Sequence, residues 1–170
     1  MAPVLPDALL ARLAELGLAA TTTTHEAVFT VAASESLYAR IPGVHCKNLF
    51  LKDAKGKVWL VSCPHDRAVD LKTLPRRIGS GRLSFGRAEL LDQLLGVIPG
   101  SVTPFGVIND TTNAVTVVLD AWMVAQPQVN FHPLINTATT TVAGADLVTF
   151  LRACDHDPLI VDLESPLPDA

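Results

Sequence analysis

HCKNLFLK (45–52), DAKG (53–56) and KVWLVS (57–62) form the stretch whose reading decides the fold. The outer runs are β-rich, and DAKG between them is a hairpin turn signal. Side chains on a strand alternate faces. His45, Lys47, Leu49 and Leu51 therefore share one face, and Asn48 and Phe50 point the other way. A lysine among leucines is unusual, because burying an ammonium without a partner is costly. Two readings stand for Lys47: a functional cation, or a strand-end residue whose head reaches water along its aliphatic stem.

Working outward, DALLARLAEL (7–16) has helical spacing, with Asp7 as a cap and Gly17 as the stop. TTTTHEAVFTV (21–31) reads as extended, and SESLYARI (34–41) as a short helix ended by Pro42-Gly43. HDRAVDLKTLPRRI (65–78) is a helix candidate that Pro75 must end or kink. RLSF (82–85) is a strand and RAELLDQLL (87–95) an amphipathic helix closed by Gly96. VIPGSVTPFGVIND (97–110) starts as a loop and turns into strand, and AVTVVLDAWMV (114–124) is one long β-run. TATTTVA (137–143), the helix ADLVTFLRAC (145–154) and LIVDLE (159–164) complete the chain. Irregular alternation with hairpin-linked strands predicts an α/β (α+β) domain over 1–170: a mixed, mostly antiparallel, barrel-like sheet with helices outside. It argues against a doubly wound parallel fold.

The chain has 170 residues, 49% hydrophobic and 18% charged, so it can bury a core and does not read as disordered. No apolar run approaches the roughly 20 residues of a membrane helix. MAPVLPDALLARLAELG (1–17) lacks the positive n-region of a signal peptide. Three cysteines without framework spacing suggest free thiols in a reducing cytoplasm. Net charge is −4, but residues 47–87 carry +7 and the remainder −11. Such a basic stretch can meet phosphates at one face, or it can be an ordinary solvated surface.

Two further segments could carry chemistry. In VIPGSVTPFG (97–106), Gly100 permits close backbone approach, Pro104 stiffens the loop, and Ser101 and Thr103 bring hydroxyls. Its amides could face an ester oxygen, or it could be a plain turn. In NFHPLIN (130–136), His132 precedes a proline and follows Phe131, and it could bind a ribose, act as an acid or base, or be structural. His45-Cys46 and Cys63-Pro-His65 lack the spacing of zinc sites, so no metal is expected.

Together HEAVFTV (25–31), HCKNLFL (45–51), LSFGRAELLDQLLGVIPGSVTPFG (83–106) and NFHPLINTATT (130–140) resemble the YbaK / prolyl-tRNA synthetase-associated domain family, closest to its free-standing ProX (PrdX) type. The resemblance implies a mixed barrel-like domain that hydrolyses mischarged aminoacyl-tRNA without a cofactor, with Ala-tRNA(Pro) as substrate. It places Lys47 at the family's pocket lysine, Gly100 to Pro104 (with Ser101, Val102 and Thr103) at its GxxxP loop, and His132 beside the pocket. Asn48 after the lysine matches the KNLF pattern and favours alanine over cysteine. VAASESLYAR (31–40) departs from a more acidic family pattern, and no lid contact is assigned to it. The family further implies that the ribose 2′-hydroxyl positions the attacking water. On this reading Lys47, Gly100 and His132 are catalytic. Asn48, Ser101–Pro104 and Phe131 bind substrate, and Lys52, Lys55, Lys57, Arg76, Arg77 and Arg82 follow the tRNA.

A site selecting proline rejects smaller alanine poorly, since each missing methylene is worth about 1–3 kcal/mol. A second, tighter pocket supplies the missing selectivity. The expected partners are mischarged tRNA and prolyl-tRNA synthetase, in the cytoplasm and with no membrane. Three alternatives stay open: a deacylase for serine or cysteine, a non-catalytic module that holds tRNA or DNA, and a scaffold partner of a synthetase whose activity is incidental.

Overall fold

A computed structural model describes residues 3–28 and 30–167. Met1, Ala2, Phe29 and residues 168–170 lie outside, so the expected extended segment 21–31 and the N-terminal reading are followed only in part. The decisive hairpin forms as expected: β2 (Val44–Asp53) pairs antiparallel with β3 (Val58–Pro64), Lys47 opposite Cys63 and Leu51 opposite Trp59. Asp53 holds the turn. Its Oδ1 accepts the amides of Lys55 and Lys57 at 2.9 and 3.0 Å, and its Oδ2 accepts the Trp59 indole at 3.1 Å and the Gly81 amide at 3.2 Å. Burial pushes this carboxyl upward, but the four donors outweigh it and the net shift is downward. Lys57 lies 4.4 Å from the centre of the Trp59 ring.

The remaining strands are β1 (Thr21–Thr24), β4 (Leu83–Phe85), β5 (Val115–Asp120), β6 (Val129–Phe131), β7 (Ala138–Val142) and β8 (Leu159–Val161). They build an eight-stranded sheet in the order β1-β7-β6-β2-β3-β5-β8, with β4 also on β2. β1–β7, β6–β7, β2–β3 and β2–β4 are antiparallel, and β2–β6, β3–β5 and β5–β8 are parallel. The architecture is the expected mixed α/β sheet surrounded by helices. Both faces are covered. Phe50, Leu60, Val117 and Leu119 pack with α1 (Pro6–Glu15), α4 (Ala88–Leu95) and α6 (Gly144–Ala153). Leu51, Trp59, Val61 and Val118 pack with α3 (Leu74–Ile78). This is why VWLVSCP is apolar almost throughout: every residue of β3 is buried.

Several boundaries differ from the sequence expectation. Pro75 sits in the first turn of α3, after Leu74, instead of ending a helix, because a first-turn proline gives up no intrahelical donor. PFGVIN (104–109) is a 3₁₀ helix, not strand, started by Thr103 Oγ1 accepting the Phe105 amide. The run 114–124 breaks at Asp120, whose carboxylate accepts the Met123 amide at 2.9 Å and opens α5 (Ala121–Val124). Asp7 is not the cap of α1: Leu5 stands there and Pro6 opens the helix. Val31 belongs to α2 (Val31–Arg40), capped by Thr30. Among the described residues no helix is long and apolar enough to cross a membrane.

Candidate functional site

The site arises where β2 changes partners. Its outer edge pairs with β6 through Val44 and His45, and with β4 only from Leu51. Among the described strands, none takes the edge between them. The segment Gly100–Pro104 lies over one face of β2 beside this gap and leaves the backbone edge unpaired: Asn48 Nδ2 donates to the Val102 carbonyl at 3.1 Å. Ser62, across on β3, donates to Asn48 Oδ1 at 2.6 Å. Asn48 is thereby fixed at both ends of its amide. On the far side of the segment, a Cβ on Gly100 would stand 3.4 Å from Asn136 Nδ2, so the 132–136 loop lies against it.

Beside this gap lies a cleft of about 110 Å³. Its walls include His45, Cys46 and Asn48 of β2, Asn130 and Phe131 of β6, His132 and Thr139. Helix α2 adds Ser34, Leu37 and Tyr38. The volume is well under the roughly 300–1,000 Å³ of a pocket for a drug-sized molecule. It suits a small side chain rather than a nucleotide.

His132 Nδ1 lies 2.9 Å from the Ala138 carbonyl. A carbonyl only accepts, so Nδ1 carries the hydrogen and the neutral ring keeps a lone pair on Nε2. Burial pushes this histidine below its ordinary value, against the Ala138 carbonyl, with His25 adding to the decrease. The His25 ring is 6.3 Å away. His45 follows the same pattern: Nε2 donates to the Ile41 carbonyl at 2.8 Å, and burial lowers its pKa. Tyr38 stacks on His45 at 4.2 Å and leans on His65 at 4.7 Å, which fastens α2 over the cleft. Cys46 is pushed up to about 12 by burial, so it stays a thiol, and its Sγ lies 3.5 Å from Met123 Sδ. A thiolate nucleophile is thus not available from it.

Of the residues singled out in the sequence, Asn48, Phe131 and His132 line the cleft together. Ser101 and Thr103 are buried in the segment bound to Asn48. Lys47 does not line the cleft. It projects from the other face of β2, beside Cys63, half-buried. Among the described residues its ammonium has no hydrogen bond or ion pair. Lys52, Lys55, Lys57 and Arg82 cluster at the far end of the hairpin, and Arg77 is tied to the carbonyls of Asp162 and Ser165. Asn130, Thr139 and Tyr38 were not singled out in the sequence, and Cys46 was weighed there only as a metal ligand. Only the alternation that puts Cys46 on the Asn48 face could have flagged one of them. Among the described residues no three His, Cys, Asp or Glu side chains form a group able to hold a metal.

Two predictions follow from this geometry. Ser62→Ala leaves the Asn48 carbonyl oxygen without its donor and should cost about 1–2 kcal/mol of stability. It should also speed amide hydrogen exchange in the Val102 segment about tenfold as that segment loosens; unchanged exchange there would mean that Ser62 does not hold the segment through Asn48. The second concerns pH. His45 and His132 take up protons less readily in the folded chain than in the unfolded one. Above about pH 6.5 both states hold them neutral and stability is complete. As pH falls below that value the unfolded chain is protonated first, and stability drops toward the lowered folded values. Melting temperature should therefore be flat from pH 8 to 7 and fall between 6.5 and 5, less steeply in His132→Gln. A rise on acidification through that window would contradict the burial of these rings.

A family model described as an aminoacyl-tRNA editing domain matches residues 25–150. The prolyl-tRNA editing protein ProX of Acetoanaerobium sticklandii is 40% identical over 148 residues, covering 86% of this chain and 90% of its own length. A prolyl-tRNA synthetase associated domain-containing protein 1 of Xenopus laevis is 39% identical over 169 residues, covering 96% and 100%. A solved structure described as a candidate trans-editing enzyme for prolyl tRNA synthetase superposes with a TM-score of 0.69 at 18% identity, over 92% of this chain and 96% of the other, a likeness of fold.

Proposed function

We propose that this chain, which belongs to the aminoacyl-tRNA editing domain family, hydrolyses the ester of mischarged aminoacyl-tRNA and that its substrate is Ala-tRNA(Pro). The observation that carries the reading is the small cleft, with a neutral histidine lone pair at one wall and a pinned amide loop at its border. Alanine's methyl fits such a space, and discrimination against the larger proline ring is read directly from the charged-tRNA panel below.

The reaction adds water across the ester. The acyl carbon–oxygen bond to the ribose breaks, the amino acid leaves with the water's hydroxyl, and the ribose hydroxyl regains a proton. The ester is already activated, so placement accounts for most of the demand. His132 Nε2 accepts a hydrogen bond from the water or the ribose. The Ser101 amide is committed to the Ile98 carbonyl at 2.9 Å, so the developing oxyanion is met by the remaining amides of Gly100–Thr103. Lys47 stands at the same unpaired edge as Asn48 but on the opposite face. A chain whose ester sits against Asn48 and whose backbone passes over the edge brings a phosphate to the ammonium. Lys47 is then an anchor for the tRNA 3′ end, not a proton-transfer group.

The deciding experiment incubates the protein with Ala-, Pro-, Ser- and Cys-charged tRNAs. Selective loss of the alanyl ester supports the assignment. Loss of the seryl or cysteinyl ester instead reassigns the substrate. Loss of none, with salt-sensitive binding retained, makes the chain a binding module.

A further inference from the structure

We infer that the groove between β4 and α4 is a second subsite, which holds an unpaired nucleotide upstream of the terminal adenosine. This rests on the proposed reading of the chain as acting on aminoacyl-tRNA. The groove, of about 480 Å³, is lined by Lys52, Phe85, Gly86, Arg87, Glu89 and Gln93. Phe85 is 65% exposed, an unusual placement for a phenyl ring. Its backbone is held firmly. Phe85 pairs with Leu51, and the next amide, Gly86, donates to the Phe50 carbonyl at 2.9 Å. A Cβ on Gly86 would come within 2.5 Å of the Phe50 ring, so only glycine lets the chain lie this close.

The chemistry of the lining matches a nucleotide. An exposed ring gives a base a face to stack on, and a sequence-tolerant stack of this kind is worth several-fold to a hundredfold in affinity. Lys52 and Arg87 form no ion pair among the described residues, so two cations face the groove against the single carboxylate of Glu89. Gln93 offers both a donor and an acceptor to a base edge.

The spacing fits as well. Asn48 at the cleft and Lys52 at the groove are four residues apart on β2, about 13 Å at ~3.3 Å per residue. Stacked nucleotides advance ~3.4 Å each. The groove therefore lies roughly three to four nucleotide steps upstream of the terminal adenosine, at the inner end of the unpaired 3′ stretch of a tRNA.

The test measures binding by fluorescence anisotropy with uncharged tRNA, intact or trimmed of its unpaired 3′ nucleotides. Phe85→Ala should weaken binding of intact tRNA about tenfold and leave binding of trimmed tRNA unchanged, while Phe85→Trp keeps wild-type affinity. Equal affinity of Phe85→Ala and wild type for intact tRNA overturns the subsite. So does an equal loss with trimmed tRNA, which would place the ring against the duplex or against another macromolecule. Hydrolysis of 3′-aminoacyl-adenosine by the wild type is scored separately. Its absence counts against the proposed function, and the binding comparison still decides the groove.

Discussion

Lys47→Ala is expected to lower kcat/KM for aminoacyl-tRNA hydrolysis by on the order of 10²-fold or more, with the melting temperature within about 3 °C of wild type. The two halves of this expectation have separate causes. Lys47 is half-buried on the β2 face that carries Leu49 and Leu51, yet among the described residues its ammonium has no partner. Removing it breaks no bond and leaves no orphaned group, so the cost in stability is that of trimming an aliphatic stem. What is lost is a fixed positive charge at the stretch of β2 edge that none of the described strands pairs, between β6 and β4. Lys47→Arg should restore part of the rate if the charge acts on a phosphate. Wild-type hydrolysis by Lys47→Ala, measured on the same charged tRNA, would remove Lys47 from the mechanism and leave Asn48 and His132 as the working residues.

The position of Lys47 shows how far the sequence could be read. Alternation along HCKNLFLK correctly set Lys47 and Asn48 on opposite faces, because a strand has a fixed period of two. It could not say which residues of the strand reach the cleft: His45, Cys46 and Asn48 do, and Lys47 does not. That is decided by the parallel pairing of Val44 and His45 with Val129 and Asn130, some 85 residues away. Asn48, Phe131 and His132 were legible because each sits in a segment with its own pattern. Tyr38 and Thr139 were not, since nothing local distinguishes an ordinary helix tyrosine or a strand threonine from one that lines a site. The misread boundaries have a similar origin. AWMV after Asp120 has strand-like composition, and a carboxylate capping the Met123 amide overrides it. Pro75 is the same residue type whether it stops a helix or starts one, and only the chain geometry before it decides.

Gly144→Ala should be among the most destabilising single substitutions in the chain, at about 3 kcal/mol, the upper end for overpacking. For a chain of this length that is a fall of roughly 6–12 °C in melting temperature. Propensity alone predicts the reverse, since alanine in a helix is favoured over glycine by up to about 1 kcal/mol. The steric term wins because the obstacle is backbone. A Cβ at Gly144 would stand 2.6 Å from the Val124 carbonyl carbon and 2.8 Å from the Met123 oxygen, and would overlap the Val124 oxygen. Neither α5 nor α6 can turn a side chain aside to make room. The Gly144 amide also donates to the Gln126 carbonyl at 2.9 Å, which fixes the approach. Relief therefore requires α5 to shift as a unit, and α5 carries Met123, fully buried and 3.5 Å from the Cys46 sulfur at the cleft wall. The variant should accordingly lose activity at temperatures well below its own melting point, in proportion to how far Met123 moves Cys46. A melting temperature equal to wild type would mean that the two helices do not approach this closely. A lowered melting temperature with full activity in the cold would mean that α5 relaxes away from the cleft instead of into it.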